Sequence, residues 1–335
     1  MYRLIYRNND FYKRILHPDL EFPRTLPKNH IMKLYGLLPF LFLFFCSSTA
    51  ISQQADATAN IGLENSLLWK ISGNGLSEPS YLFGTYHLMN DEFLKKIKGL
   101  KKALRSSEAV VGELVMTPEL SAQLMPYMIM ENTTLDSVLT PSQYDSVAAA
   151  VKENLSAPMF LLNKMKPIVI YTMLGAAQAQ KSGLVKKSKG VPMDIFFQEE
   201  GKKEGKKIIG LETAKEQADI LFNNYPVERQ VELLMEFLKS GGQVNEAEGE
   251  RLNECYTQQK LDCLTELFEK AGYSDAESLD LLNKRNIRWI PQLEKLMKEQ
   301  SCFVAVGALH LTGKDGLIVL LRKQGYVVEP MNKKS

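Results

Sequence analysis

Two of the four histidines in this 335-residue chain stand in the same short motif, which makes them the first candidates for chemistry. His87 ends Gly84-Thr-Tyr-His87, His310 ends Gly307-Ala-Leu-His310, and a Leu follows each histidine. Each motif closes a short apolar run of the kind that forms buried strands. Open α/β sheets place ligand sites at the carboxyl ends of their strands, so we expect both imidazoles to reach one site.

The histidine census favours a functional interpretation over a structural one. A single Gly-x-x-His has a high false-positive risk and more often ends a strand as a hydrogen-bonded residue. The other two histidines, His17 and His30, precede an apolar segment with the features of a targeting signal. The remaining chain therefore uses histidine twice, in matching settings. For such a pair we favour a functional role over a structural one.

Two carboxylates also follow apolar runs. Glu113 interrupts Val-Val-Gly-Glu113-Leu-Val, where a carboxylate is costly unless it is paired, bound to a metal or exposed at a sheet edge. Glu212 follows the predicted strand Lys207–Leu211. Thr213 and Glu216 match a capping box for the next helix, which leaves Glu212 without a structural role.

Imidazole and carboxylate side chains without thiolates suit Mn, Co, Zn or Fe, and the sequence has no Cys-x-x-Cys pair for a thiolate zinc site. A metal with an open position would turn a bound water into a hydroxide that hydrolyses amides or esters. A metal-free hydrolase also fits, with one histidine as base and Glu113 orienting it. The alternative from another class is a non-enzymatic protein that holds haem or metal, or that sequesters a peptide.

The elements that must position these residues run in the order β-β-α-β, helices, β-α, helices, β-α-β. The predicted strands are Ser66–Ser72, Tyr81–Tyr86, Ala109–Val115, Lys207–Leu211, a run from Cys302, and Tyr326–Glu329. The predicted helices are Asp91–Ser106, several within 118–188 and 214–282, one from Asn283, and Gly313–Gln324. This order predicts a mixed α/β fold, in which two α/β halves with a central sheet enclose a large helical insertion.

The N-terminus has the pattern of an exported protein. Residues 32–52 join a basic start, the apolar run Leu34–Cys46 and small residues, as in a secretory signal peptide. The apolar run is short for a membrane span of about 20 residues. Residues 1–31 resemble no signal region, so we expect translation to start at Met32. An uncleaved anchor with a cytoplasmic arm is the rival interpretation.

We therefore expect a periplasmic or secreted protein with a linker over 53–65 and one domain over 66–330. Lipidation of Cys46 would make it an outer-membrane lipoprotein, but Phe44-Phe45 poorly matches the small residues expected there. The membrane would then be a partner only through the signal segment or that lipid anchor.

Composition excludes nucleic acid as the main partner. Residues 1–50 carry seven of the 41 Lys and Arg and three of the 39 Asp and Glu, which leaves 34 basic and 36 acidic residues. The remaining chain has no basic stripe of the kind that binds nucleic acid. An exported setting permits disulfides, so Cys255 and Cys263 could pair, whereas Cys302 lies in an apolar strand.

The chain resembles the TraB/GumN family, which includes the Tiki metalloproteases and is more distantly similar to erythromycin esterase and ChaN-like proteins. The resemblance covers residues 60–330. It rests on Leu-Phe-Gly84-Thr-Tyr-His87, Val-Val-Gly-Glu113, Ile-Gly210-Leu-Glu212-Thr with Gln217, Arg285-Asn286 and Val-Gly307-Ala-Leu-His310.

The resemblance implies a mixed α/β fold with both Gly-x-x-His motifs at one site, and a peptidase that uses manganese or cobalt. It implies that His87, His310 and Glu113 bind the metal. Arg285 matches a basic position of the family, and Glu212 is the weaker catalytic candidate. Independently of the resemblance, the guanidinium of Arg285 could stabilise a developing oxyanion. The implied substrate is a peptide or another small amide or ester.

Overall fold

The computed structural model describes residues 64–87, 89–182, 190–241, 246–270 and 279–332. The predicted start at Met32, the signal peptide and Cys46 lie outside these ranges, so they stay predictions. Within the described ranges, no helix combines the length and the apolar character needed to cross a membrane.

One six-stranded sheet forms the centre of the domain. Its strands are β1 (Leu68–Gly73), β2 (Ser80–Thr85), β3 (Ala109–Gly112), β4 (Lys207–Gly210), β5 (Cys302–Gly307) and β6 (Tyr326–Pro330). They lie side by side in the order β4-β3-β5-β2-β1-β6. Neighbours from β4 to β2 are parallel, while β1 is antiparallel to both β2 and β6. The carboxyl ends of β2, β5, β3 and β4 therefore share one edge.

The pairing of β2 with β5 joins the two ends of the sequence. Thr85 lies opposite Gly307, so the two Gly-x-x-His motifs leave the sheet side by side. A Cβ on Gly84 would lie 2.9 Å from the Cα of Ala308, closer than real side chains approach. Glycine is therefore required at this position by the close packing of the two motifs.

Helices cover the sheet and form a separate layer. They are α1 (Asp91–Leu94), α2 (Leu100–Ser106), α3 (Leu120–Met128), α4 (Leu135–Val138), α5 (Pro141–Leu155), α6 (Pro167–Lys181), α7 (Met193–Lys203), α8 (Ala214–Phe222), α9 (Val227–Lys239), α10 (Glu246–Thr257), α11 (Leu261–Lys270), α12 (Lys284–Glu299) and α13 (Leu317–Lys323). Single turns of tighter or wider helix occur at Met159–Leu161, Ala308–Leu311 and Leu279–Asn283.

The hydrophobic residues form two clusters. The first surrounds the sheet and includes Phe83, Phe303 and Trp289. The second fills the helical insertion, where α6 is buried along most of its length against α9 and other helices. The predicted mixed α/β fold with a helical insertion is confirmed, and the two predicted halves share one sheet because β5 lies between β3 and β2.

Local signals account for several element boundaries. Thr213 and Glu216 form the predicted capping box at the start of α8. The helix predicted over Asp91–Ser106 is instead two helices, because α1 ends at Leu94 and α2 begins only after Gly99, which adopts φ 79°. The helix predicted from Gly313 begins only at Leu317, since the preceding residues form loop and the turn that holds His310.

Candidate active site

The structure places four of the five predicted site residues just after parallel strands. His87 lies two residues beyond β2, Glu113 directly follows β3, and Glu212 lies two residues beyond β4. His310 lies in the helical turn after β5. Their positions follow from the parallel order of these strands, since all four chains leave the sheet at the same edge.

Arg285, from the first turn of α12, joins three of these residues. Its Nε and Nη2 atoms donate to the two carboxylate oxygens of Glu212 at 2.9 and 2.8 Å. Nη2 also donates to Oε2 of Glu113 at 2.6 Å. Nη1 lies 3.0 Å from Nε2 of His310 and 3.2 Å from the carbonyl oxygen of Leu281. Each of the five guanidinium N–H groups thus has an acceptor, and Arg285 is 1% exposed.

Glu113 is held as a buried carboxylate. Its Oε1 atom accepts a hydrogen bond of 2.9 Å from the backbone N–H of Gly307. Burial alone would raise the pKa of Glu113, but the Arg285 guanidinium, followed by smaller contributions, lowers that pKa to about 2. Those smaller contributions come from His310, His87 and the Gly307 N–H. Glu113 is therefore ionised at neutral pH.

Glu212 connects the buried centre to the surface. Besides Arg285, its Oε1 atom accepts hydrogen bonds from Nη2 of Arg288 at 2.6 Å and from Nε1 of Trp289 at 3.2 Å. The side chain of Arg288 is 42% exposed, whereas that of Glu212 is fully buried. Two arginines from consecutive turns of α12 thus neutralise Glu212 and Glu113.

His310 is fixed as a neutral ring. Asn286 donates its amide to the carbonyl oxygens of His310 and Asp315, so its own Oδ1 faces the ring at 2.7 Å from Nδ1. We therefore assign the proton to Nδ1, and Nε2 accepts from Arg285. Burial, followed by the charge of Arg285, lowers the pKa of His310 to about 3.

His87 lies beside this cluster and has a different partner. Its Nδ1 atom lies 2.9 Å from Oδ2 of Asp194, and Oδ1 of Asp194 accepts a 2.9 Å hydrogen bond from the hydroxyl of Thr85. Burial alone would lower the pKa of His87, but the Asp194 carboxylate outweighs it and raises that pKa. The His87 side chain is 15% exposed against 2% for His310, so His87 is the more accessible imidazole.

Asp194 is not among the site residues predicted from the sequence, and its contact with His87 is not predicted either. Asp194 stands in Gly190-Val-Pro-Met-Asp194, more than 100 residues from its partners. The contact depends on how α7 packs across the end of β2. Tyr256 contributes to that packing, because its hydroxyl donates to the carbonyl oxygen of Gly84 at 2.7 Å and lies 3.3 Å from Sδ of Met193.

The donor set suits a divalent metal chemically, but the arrangement does not fit one. Among the described residues, no three His, Cys, Asp or Glu side chains are grouped so that they could hold an ion. Arg285 takes two of the atoms a metal would need, Oε2 of Glu113 and Nε2 of His310. In this arrangement a guanidinium supplies the positive charge at the centre.

Fold and site together define a mixed α/β protein with a histidine, carboxylate and arginine centre at the edge of a parallel sheet. The chain belongs to the TraB/PrgY/gumN family, whose model matches residues 67–330. The predicted family is therefore confirmed.

Two curated relatives carry metalloprotease names. The chain is 24% identical to "Metalloprotease TIKI homolog" of Amphimedon queenslandica over 334 residues, 82% of this chain and 63% of that protein. It is 25% identical to "Metalloprotease TIKI2" of Danio rerio over 339 residues, 83% of this chain and 63% of that protein. The chain thus spans less than two thirds of the length of these relatives, and no solved structure matches it significantly.

Proposed function

We propose that this protein is a hydrolase that cleaves amide bonds, with peptides as the first substrate class to test. The observation that carries the proposal is the convergence of His87, Glu113, Glu212, Arg285 and His310 at one sheet edge. The metalloprotease names of two distant relatives support the substrate class. Export with a cleaved leader over residues 32–52 stays a prediction of the sequence.

His87 is the residue that we propose as general base. It is the more accessible imidazole, and the Asp194 carboxylate favours its protonated form. His87 would accept a proton from water as the water attacks the substrate carbonyl, and would return it to the leaving amine. An imidazolium formed in that step is stabilised by the adjacent carboxylate, as in other histidine–aspartate pairs.

The remaining centre sets the charge around that step. Arg285 lowers the pKa of Glu113 to about 2, and burial, followed by Arg285, lowers the pKa of His310 to about 3. Both groups are therefore weak bases, and His87 is the better proton acceptor of the three. Stabilisation of an oxyanion by Arg285, which the chemistry of a guanidinium allows, would require this group to exchange one of its five hydrogen bonds. The acceptor easiest to replace is the neutral carbonyl oxygen of Leu281, because the Glu113 and Glu212 carboxylates bind the guanidinium more strongly.

Metal-dependent hydrolysis is the second candidate, favoured by the names of the relatives and by the chemistry of the donors. Mn or Co is the first choice, with Zn or Fe as alternatives. His87, His310 and Glu113 could hold such an ion only if Arg285 released Glu113 and His310. In the observed arrangement the hydrogen bonds to Arg285 occupy these donor atoms of Glu113 and His310.

The test is peptide turnover by the purified full chain, measured by mass spectrometry on a peptide library. It is run with chelator and with added Mn, Co, Zn or Fe. We expect cleavage in the wild type and at least a 100-fold loss in His87→Ala, because a positioned general base contributes about 10²–10⁴-fold. Lys152→Ala, on the exposed face of α5, is the control.

Each outcome separates the candidates. Turnover that survives chelation supports the metal-free reaction, and turnover only with added ion supports the metal-dependent one. Stoichiometric peptide or haem uptake without product would contradict both and favour the non-enzymatic binding protein. Wild-type turnover that His87→Ala retains would remove His87 from the mechanism.

A further inference from the structure

The two Gly-x-x-His motifs match in sequence but differ in what holds their rings. Nδ1 of His310 faces the neutral amide of Asn286 at 2.7 Å. Nδ1 of His87 faces the carboxylate of Asp194 at 2.9 Å. An amide oxygen and a carboxylate both accept from Nδ1–H, but only the carboxylate can accept at both of its oxygen atoms.

Both oxygens of Asp194 face the end of β2. Oδ2 faces His87, and Oδ1 accepts from the hydroxyl of Thr85, the last residue of the strand. Thr85 and Asp194 are both buried. The carboxylate is therefore held by a hydrogen bond from Thr85 at one oxygen, and its other oxygen, which has no further hydrogen-bond partner among the described residues, lies in ion-pair contact with the His87 ring.

The helix that supplies Asp194 is itself anchored at this strand end. Just before α7, Pro192 pairs with Asn90, and the N–H of Val191 donates to Oδ1 of Asp91 at 2.9 Å. From the other side, the Tyr256 hydroxyl contacts both β2 and the first residue of α7. The position of Asp194 is thus fixed independently of its contact with His87.

From this geometry we propose that Asp194, held by Thr85, is a positioning residue that fixes the orientation and the Nδ1–H tautomer of His87. Chemistry at His87 then takes place through Nε2. The two matched motifs therefore have different roles. Asn286 fixes the ring of His310, which accepts a hydrogen bond from Arg285. Asp194 fixes the ring of His87, which is the more accessible imidazole. The tautomer of His87 does not depend on the proposed function. Only its effect on catalysis rests on that function.

The test reads the tautomer directly, without turnover. Imidazole ¹⁵N spectra of the full chain are recorded with chelator at alkaline pH, where the rings are neutral, and His87 is assigned by comparison with His87→Gln. We expect the Nδ1–H form in the wild type. Asp194→Ala removes the acceptor, so the Nε2–H form should become populated, while the signals of His310 should stay unchanged.

Two further variants keep the test decisive if Asp194→Ala folds poorly. Thr85→Val keeps the shape of the side chain but removes the hydroxyl, and should shift the tautomer in the same direction by less. Asp91→Ala disturbs the anchor of Val191 without touching the His87 contact, and should leave the tautomer unchanged. An Asp91→Ala shift as large as that of Asp194→Ala would show that only the placement of α7 matters.

Kinetics then connect the tautomer to catalysis. On any peptide that the wild type cleaves, Asp194→Ala should lower kcat by at least tenfold with KM within about twofold, and Asp194→Glu should recover part of the loss. A wild type with Nε2–H, or a tautomer that Asp194→Ala does not change, would overturn the inference. Absence of wild-type turnover would contradict the proposed function and leave the tautomer result to be judged by itself.

Discussion

At the scale of single residues, Arg285 offsets the charge of two carboxylates that are buried close together. The centre buries the carboxylates of Glu113 and Glu212 within reach of one guanidinium. A buried ion network of this kind contributes little net stability compared with apolar packing, but breaking it leaves a buried charge without a partner. Removing the arginine should therefore lower the free energy of unfolding by much more than the ion network adds to it relative to an apolar core.

Arg285→Met tests this expectation against Arg288→Met, a matched control on the same helix. Both arginines donate to Glu212, but Arg285 is buried and Arg288 is 42% exposed. We expect the free energy of unfolding, measured with urea, to fall by about 3–5 kcal/mol in Arg285→Met. For Arg288→Met we expect a loss of about 1 kcal/mol or less. Equal losses of the free energy of unfolding in the two variants would contradict the view that Arg285 is the main partner of the buried carboxylates.

At the scale of elements, the helix pair α10 and α11 supports the strand end that carries His87. A disulfide between Cys255 and Cys263 joins the two helices, which realises the pairing that the sequence leaves open. The next residue, Tyr256, is buried and bonds to Gly84, and its ring lies 4.9 Å from that of Tyr86. The disulfide therefore restrains the helix that packs on the end of β2.

Loss of this disulfide should lower stability by a predictable amount. The two cysteines are eight residues apart, and chain-entropy arguments give about 2–3 kcal/mol for so short a loop. We expect urea unfolding of the wild type to shift by this amount on adding a reductant. The double variant Cys255→Ser/Cys263→Ser should not respond.

Cys302, the free cysteine among the described residues, provides the control for that experiment. Cys302 is buried in β5, as predicted, and does not take part in the disulfide. Cys302→Ala should therefore keep the full response to the reductant. A response that disappears in Cys302→Ala, or persists in the double variant, would show that the stabilising bond is not the one between α10 and α11.

At the scale of the whole molecule, the sequence predicts which residues stand at strand ends, because that information is local. Short apolar runs end at His87, Glu113 and Glu212, and in parallel strands such ends collect at one edge. The strand order is not local. It depends on packing such as the contact of Gly84 with Ala308, which joins residues more than 200 positions apart.

The same limit explains what sequence reasoning misses in the site. Asp194 has no motif of its own that separates it from an ordinary helix-opening aspartate, and its partner lies in another element. Arg285 is identified through the family resemblance, and its contacts with two carboxylates and His310 become visible only when α12 packs against the sheet edge. Long-range packing, rather than residue type, assigns these roles.

The stability of the whole fold should depend on pH through three titratable groups of the site. The pKa of His310 is about 3 in the folded protein and 6.5 in the unfolded chain. Between these two pH values the unfolded chain binds a proton that the folded protein does not, so stability falls as the pH drops through this range. Glu113, at about 2 against 4.5, contributes stability above pH 4.5 that is lost below it. His87, with its raised pKa, contributes stability that is full below pH 6.5 and is lost as the pH rises through its folded pKa.

Between pH 6.5 and 4.5 only His310 of these three changes its contribution, so His310→Asn isolates its effect. We expect the wild type to lose stability relative to this variant by roughly 2–3 kcal/mol across that interval, since each pH unit corresponds to about 1.4 kcal/mol. Urea unfolding at several pH values measures both proteins under the same conditions. Parallel stability curves would mean that His310 takes up its proton in the folded protein as readily as in the unfolded chain. Burial and the charge of Arg285 would then not hold the ring neutral, and the separate tasks proposed for the two histidines would lose their electrostatic basis.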